Sequence, residues 1–279
     1  MSYTQSQRND SPAWPQALAE VTVMDQTLAL QAMCIEQEDS EGVEEFAERK
    51  DKFQLKLLTG SSRQKKETSL LIEKRYSWRG YNGAATLDQL PNRMTMNAEL
   101  FGRIYATLTV NVDSPAGLAV EETYPEEVAA FRKRGARLCE FGKFAVEPSV
   151  RSKRLLGTLF QLLYIYAHRV QGCTDFLIEV NPRHRFFYIR YLEFKQVAEE
   201  KVCPRVGAPA LLLHVSAEHV RNRIAELAGR WRELPDEKSL YKYSLPQRQE
   251  DEIVLRLIRE GTVPDAPAVA EEERLTEYA

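Results

Sequence analysis

Residues 139–157 read CEFGKFAVEPSVRSKRLLG, and the way this stretch folds decides the rest of the chain. With Leu138, the run to Val146 is rich in apolar and aromatic residues and predicts a strand. Pro148 and Ser149 break it into a turn crowded with Arg151, Lys153 and Arg154. From Arg154 to Val170 the pattern predicts a helix that is apolar nearly all round, hence buried against a sheet, and Gly172 stops it. A strand running through a basic turn into a helix N-terminus suits a phosphate-bearing ligand. The first helical N–H groups there have no intrahelical partner, and the helix dipole favours an anion.

The flanking segments alternate strand with helix. Downstream, Thr174–Val180 predicts a strand, HRFFYIRYLEF a short helix, and Ala208–Val215 a last strand whose unbroken apolar run belongs inside a sheet. Ser216 suits the N-cap of a helix reaching about Leu234, and Glu252–Arg259 forms another amphipathic piece. Upstream, Arg103–Asp113 alternates strictly and is the clearest half-buried strand, and Pro125 fits the first turn of a short helix. FQLKLL, starting at Phe53, predicts a strand; ETSLLIEKRYSWRGY predicts a helix ended by Gly80 and Gly83. The apolar-periodic piece Ala17–Cys34 predicts one or two N-terminal helices. The result is an α/β layer fold in three parts. Residues 1–50 form a helical, partly disordered extension, 51–216 the main domain, and 217–279 a helical extension ending in a flexible Pro/Ala/Glu tail.

Composition narrows the class. Hydrophobic residues at 43% and charged residues at 28% fit a soluble globular protein, and a net charge of -3 gives no basic field for nucleic acid. The longest apolar run, Leu155–Ala167, is too short for a bilayer and is interrupted by Gly157, Thr158 and Gln161. The four cysteines, Cys34, Cys139, Cys173 and Cys203, form no metal or C-x-x-C pattern. Reduced thiols, no metal, and a cytoplasmic location without a signal peptide or integral membrane segment are the expectations.

Val146-Glu-Pro-Ser-Val-Arg151 resembles the GCN5-related N-acyltransferase (GNAT) superfamily, which has V-x-P at a strand end and R-x-x-G-x-G/A opening the next helix. Arg154 and Leu156 stand at the two glycine positions, and Gly157 comes one residue late. Asn181, Tyr188 and Phe194 resemble the superfamily's next strand and helix. Asp113-Ser-Pro-Ala-Gly117-Leu118, Glu140-Phe-Gly-Lys143-Phe144-Ala-Val146 and Cys203-Pro resemble the long-chain N-acyl amino acid synthases, relatives of the acyl-homoserine lactone (autoinducer) synthases. Lys143 replaces the Arg of their E-x-x-R motif. The resemblance implies a three-layer α/β (α+β) fold: a mixed, mostly antiparallel sheet, splayed central parallel strands, and helices on both faces. It implies transfer of an acyl group from a thioester co-substrate, acyl carrier protein or acyl-CoA, to the amine of an amino acid acceptor.

That chemistry assigns candidate roles. A free α-amino group titrates near ~8, so neutralising it at pH 7 costs only about 1.4 kcal/mol and one carboxylate suffices. Glu140 is the first candidate and Glu179 the second. A backbone N–H near Phe144, Ala145 or Val146 would face the thioester carbonyl, and Tyr188 would donate to the leaving sulfur, since tyrosine titrates near ~10. Arg151, Lys153, Arg154, Leu155, Leu156, Gly157 and Asn181 are candidate donor-binding positions. Losing two glycines weakens a pyrophosphate cradle, while the cations suit a carrier protein's single phosphate and acidic surface. Arg183, His184 and Arg185 border the same mouth, and Arg132, Lys133, Arg134 and Arg137 add a basic patch. Arg75, Arg79, Tyr81, Lys143, Glu179 and His184 are candidates for the acceptor. Leu118, Val120, Phe131, Phe160 and Leu163 are candidate walls for a long acyl chain. Plainer counterparts stand beside these: Glu140 as an ion-pair partner, Tyr188 as packing, the cations as a solvated face. Alternatives for the whole are an acyl-homoserine lactone synthase, an ordinary acetyltransferase, and a non-catalytic acyl- or carrier-binding regulator.

Overall fold

A computed structural model describes residues 17–22, 52–58, 61–77, 87, 92–150 and 152–259. One mixed sheet runs through it. The antiparallel half comprises β1 (Ala19–Thr22), β2 (Lys52–Leu57), β3 (Arg93–Leu100), β4 (Arg103–Val112) and β5 (Leu138–Val146), each paired with the next. β6 (Asp175–Val180) then pairs parallel to β5. β7 (Lys195–Gln196), β8 (Lys201–Cys203) and β9 (Ala208–Ser216) complete the sheet, β9 pairing antiparallel with β6, β7 and β8. The strands read from sequence at Phe53, Arg103, Leu138, Thr174 and Ala208 are all here.

Helices cover both faces. On one, α1 (Ser62–Tyr76) buries Leu71 and Ile72 against Ile104 and Ala145. Beside it, α2 (Pro125–Lys133) packs Val128 and Phe131 with Leu138, Leu177 and Leu212. A fully buried aliphatic side chain of this kind contributes ~1.5–3 kcal/mol relative to exposure. The opposite face holds α3 (Lys153–Tyr164), α4 (Arg185–Leu192), α5 (Ala217–Leu227) and α6 (Gln247–Arg259) around a larger core.

α3 is apolar all round because it is covered twice. The sheet takes one side. The C-terminal segment takes the other, placing Leu240 and Tyr243 of a short 3-10 turn against it. Gln161 donates to Glu250 at 3.0 Å, and Arg169, in the π-helical stretch Ile165–Val170 that extends α3, pairs with Glu250 at 2.6 Å. Ser152 caps α3 by accepting from the Leu155 N–H at 3.1 Å, worth ~1 kcal/mol.

Three expectations are corrected. Within Ala17–Cys34, Ala19–Thr22 is a strand, and the rest of that expected helix lies outside the described residues. β3 is an additional strand. Its residues RMTMNAEL favour helices as much as strands, and it forms because both faces are buried between β2 and β4. The helix after Ser216 ends at Leu227, and Gly229 takes a left-handed φ of 77° just beyond.

Candidate active site

β5 and β6 are joined only at their beginnings. Pairing runs from Leu138 with Asp175 to Phe141 with Ile178 and then stops, although β5 continues to Val146 along β4 and β6 to Val180 along β9. A bulge drives the divergence. Thr107 pairs with Ala145 but Thr109 with Gly142, so β5 has one residue more than β4 at this point. Lys143 sits in the bulge at φ 51°, a left-handed conformation uncommon for a residue with a side chain.

Beyond the bulge, Glu147 N–H donates to the Tyr105 carbonyl at 2.8 Å, which fixes which residues face β4. Strand alternation then turns the N–H groups of Phe144 and Val146 toward the gap. The Phe144 carbonyl accepts from the Tyr76 hydroxyl at 3.2 Å rather than from a neighbouring strand.

The gap opens into a groove of about 480 Å³. Of the residues singled out from sequence, Arg75, Glu140, Lys143, Phe144, Ala145, Val146, Glu179, Asn181, His184 and Tyr188 line it. Arg79, Tyr81 and Arg151 lie outside the described residues. Lys153, Arg154, Leu155, Leu156 and Gly157 are not among its lining residues. Leu155 and Leu156 are core. A Cβ on Gly157 would meet the Leu240 carbonyl at 2.8 Å, so this glycine serves the approach of the C-terminal segment. Arg154 lies over the Trp231 ring at 6.0 Å. The expected acyl wall is also corrected. Leu118, Val120 and Phe131 belong to the core beneath α2, Phe160 and Leu163 to that beneath α3, and none borders the groove. In the expected basic patch, Arg132 is bound at 2.7 Å by Asp113 and also pairs with Glu121.

The two ionisable candidates enter from opposite faces of the sheet. Glu140 projects toward the α2 side, buried, accepting from the Val120 N–H at 3.3 Å. Burial raises its pKa to about 7; Arg205 and the Val120 N–H act against that, and Glu179 adds to it. Glu179 accepts from Thr123 Oγ1 at 3.1 Å and pairs with Arg205. Arg205, in the β8–β9 turn, also donates to the Ala119 carbonyl, tying the hairpin to the segment before α2. Cys203 lies beside Glu179, its thiol pushed up by burial and by that carboxylate.

Tyr188 comes from α4 on the other face, its ring edge-on to Phe160, Phe187 and Phe194. Burial raises its hydroxyl above the ordinary tyrosine value. Among the described residues it has no hydrogen-bond partner. Asn181 caps the 3-10 turn Pro182–His184, accepting from the Arg183 N–H and donating to the Pro209 carbonyl, each at 3.2 Å. Sequence reasoning missed Arg205, Tyr76, Arg93 and Asn111, which also line the groove. Cys203-Pro204 marked the place for Arg205, but nothing local marks the others.

The family model for the N-acyl amino acid synthase FeeM matches residues 67–216, more than half of the chain. The chain belongs to the FeeM family. It is an acyltransferase. Among solved structures, it is similar to FeeM, an N-acyl amino acid synthase from uncultured soil microbes. The two are 24% identical over 61% of this chain and 93% of that one, with a TM-score of 0.54, a likeness of fold. The acyl-homoserine lactone synthase LasI is 11% identical over 59% of this chain and 89% of its own, with a TM-score of 0.41. An acyl-CoA N-acyltransferase from Pseudomonas aeruginosa is 13% identical over 58% and 98%, with a TM-score of 0.41. No curated protein sequence matches. Among the described residues no helix is long and apolar enough to cross a membrane.

Proposed function

We propose that this acyltransferase moves an acyl group, a long chain being the best fit to its family, from the pantetheine thioester of an acyl carrier protein to the α-amino group of an amino acid. The observation that carries this reading is the gap between β5 and β6, with Glu140 on one face of the sheet and Tyr188 on the other. A thioester arm entering from the α3–α4 side meets an amine approaching from the α1–α2 side.

Glu140 is the base. A carboxylate near pKa 7 is half ionised at neutral pH and matched to an ammonium near ~8. The neutral amine forms the C–N bond, and the carbonyl oxygen gathers charge facing the N–H groups of Phe144 and Val146. The C–S bond then breaks, and a proton lost by the amine is matched by one taken up by the thiolate. Tyr188 is too weak an acid, once buried, to give its proton to a thiolate titrating near ~8.5. It donates a hydrogen bond to the sulfur instead, which revises the role expected from its ordinary acidity.

Two features favour a single-phosphate donor over coenzyme A. At the N-terminus of α3, the Ser152 side chain already takes the Leu155 N–H, one of the otherwise unpartnered donors. Gly157, which comes one residue after the expected second glycine, is filled by packing. Arg75 and Lys143, with Arg93 and Arg205, are cations lining the groove; the first two are suited to an amino-acid carboxylate.

The test is incubation of the full chain with acyl carrier protein or acyl-CoA and a mixture of amino acids, read by mass spectrometry. Acylated amino acid, formed faster from the carrier protein, is expected. Transfer from neither donor, or a lactone as the main product, overturns the proposal.

A further inference from the structure

α4 has two faces, and the groove uses only one. Phe187 and Tyr188, with His184 just before the helix, line the groove. At 3.6 residues per turn the opposite face carries Arg185, Phe186, Ile189 and Arg190. All four are exposed, Phe186 by 62%. The Arg185 guanidinium lies over the Phe186 ring at 4.8 Å. Neither Arg185 nor Arg190 has a carboxylate within ion-pair distance among the described residues. Of the other exposed arginines, Arg63, Arg132, Arg230 and Arg248 are paired with carboxylates, while Arg134, Arg137, Arg221 and Arg232 have no such pairing among the described residues.

This face sets an aromatic and an aliphatic side chain between two cations without carboxylate partners among the described residues, on a chain whose net charge is -3. Apolar anchors with arginine are the composition of interface centres. The cations select an acidic partner. Only a helix's own width, ~10 Å, separates this face from the groove, a distance that a pantetheine arm spans.

We infer that the outward face of α4 is the docking surface for the acyl carrier protein, Arg185 and Arg190 meeting its acidic residues and Phe186 and Ile189 its apolar contact. This rests on the carrier-protein reading above. It adds a surface that the groove residues do not require, and it leaves the chemistry to the opposite face of the same helix.

The experiment compares acyl carrier protein with the truncated donor acyl-pantetheine, using the full chain, the double variant R185E/R190E, and Phe186→Ser. Each is also checked for thermal stability and oligomeric state. The charge reversal is expected to raise KM for the carrier protein roughly tenfold or more and to abolish its salt dependence, with kcat/KM for acyl-pantetheine unchanged. Phe186→Ser is expected to act the same way, without the loss of salt dependence. Equal losses with both donors mean that α4 is only structural there and overturn the inference. So does a changed oligomeric state, which would make the face a contact between copies. If the unaltered chain uses the carrier protein but neither variant differs, docking lies elsewhere and only the inference falls. If the unaltered chain does not use the carrier protein, the donor reading falls and takes this surface with it.

Discussion

Replacing Glu140 with glutamine keeps the size of the side chain and a carbonyl oxygen to accept from Val120, while removing the titrating group. Two independent consequences follow from the burial of Glu140. Its pKa is raised from the ordinary 4.5 to about 7, so folding takes up a proton between those values. The native state therefore loses stability as pH rises through that window, by about 3 kcal/mol in all if the shift is taken whole. Urea unfolding of the two proteins at pH 4.5, 6 and 8 measures it. The glutamine variant should be close to the parent at pH 4.5 and more stable than it by a few kcal/mol at pH 8. In turnover, the parent should show an acid limb near pH 7, and the variant should lose about tenfold in kcat/KM at pH 7. Because the base's task is to neutralise an ammonium near ~8, that deficit should shrink about tenfold by pH 9. A variant with parental activity and an intact acid limb would refute the assignment. So would a stability difference that does not change with pH.

Tyr188→Phe removes a hydroxyl without a hydrogen-bond partner among the described residues; it should leave Tm within a few degrees and lower kcat about tenfold, with KM little changed. Arg205→Ala removes the strongest influence holding the Glu140 pKa down, so the acid limb of the pH profile should move to higher pH, as a kcat/KM profile will show. Gly157→Ala should destabilise by ~1–3 kcal/mol in thermal or urea unfolding, because the new Cβ meets the Leu240 carbonyl at 2.8 Å, with KM for the donor unchanged. A raised donor KM at unchanged stability would instead restore the phosphate-loop role.

The strands that build the groove were legible because their signals are local. β4 alternates strictly, β6 and β9 are apolar runs bounded by polar residues, and β5 ends at a proline turn. β3 was not legible: Met, Asn, Ala and Glu carry no strand signal, and its form depends on neighbours distant in sequence. The resemblance placed Glu140, Tyr188, Val146 and Asn181 in one groove because they sit on adjacent strands and the helix that follows. The sequence places Gly157 in a ligand loop. A missing Cβ permits close approach by a phosphate or by backbone alike, and sequence does not say which arrives. Arg205 gave no pattern because a lone arginine in a hairpin turn acquires meaning only when the turn folds back onto Glu179. Lys143 could be seen to replace an arginine, but its place in a bulge appears only from the register of β4 against β5.

The central claim is that the thioester lies in the gap between β5 and β6. A crystal structure of the chain with a non-hydrolysable acyl-pantetheine thioether measures this directly. The account predicts the carbonyl oxygen ~3 Å from the N–H of Phe144 or Val146, with the sulfur beside Tyr188 and Glu140 across the sheet. An arm bound on the surface, with the gap unfilled and neither residue near its carbonyl, would contradict it.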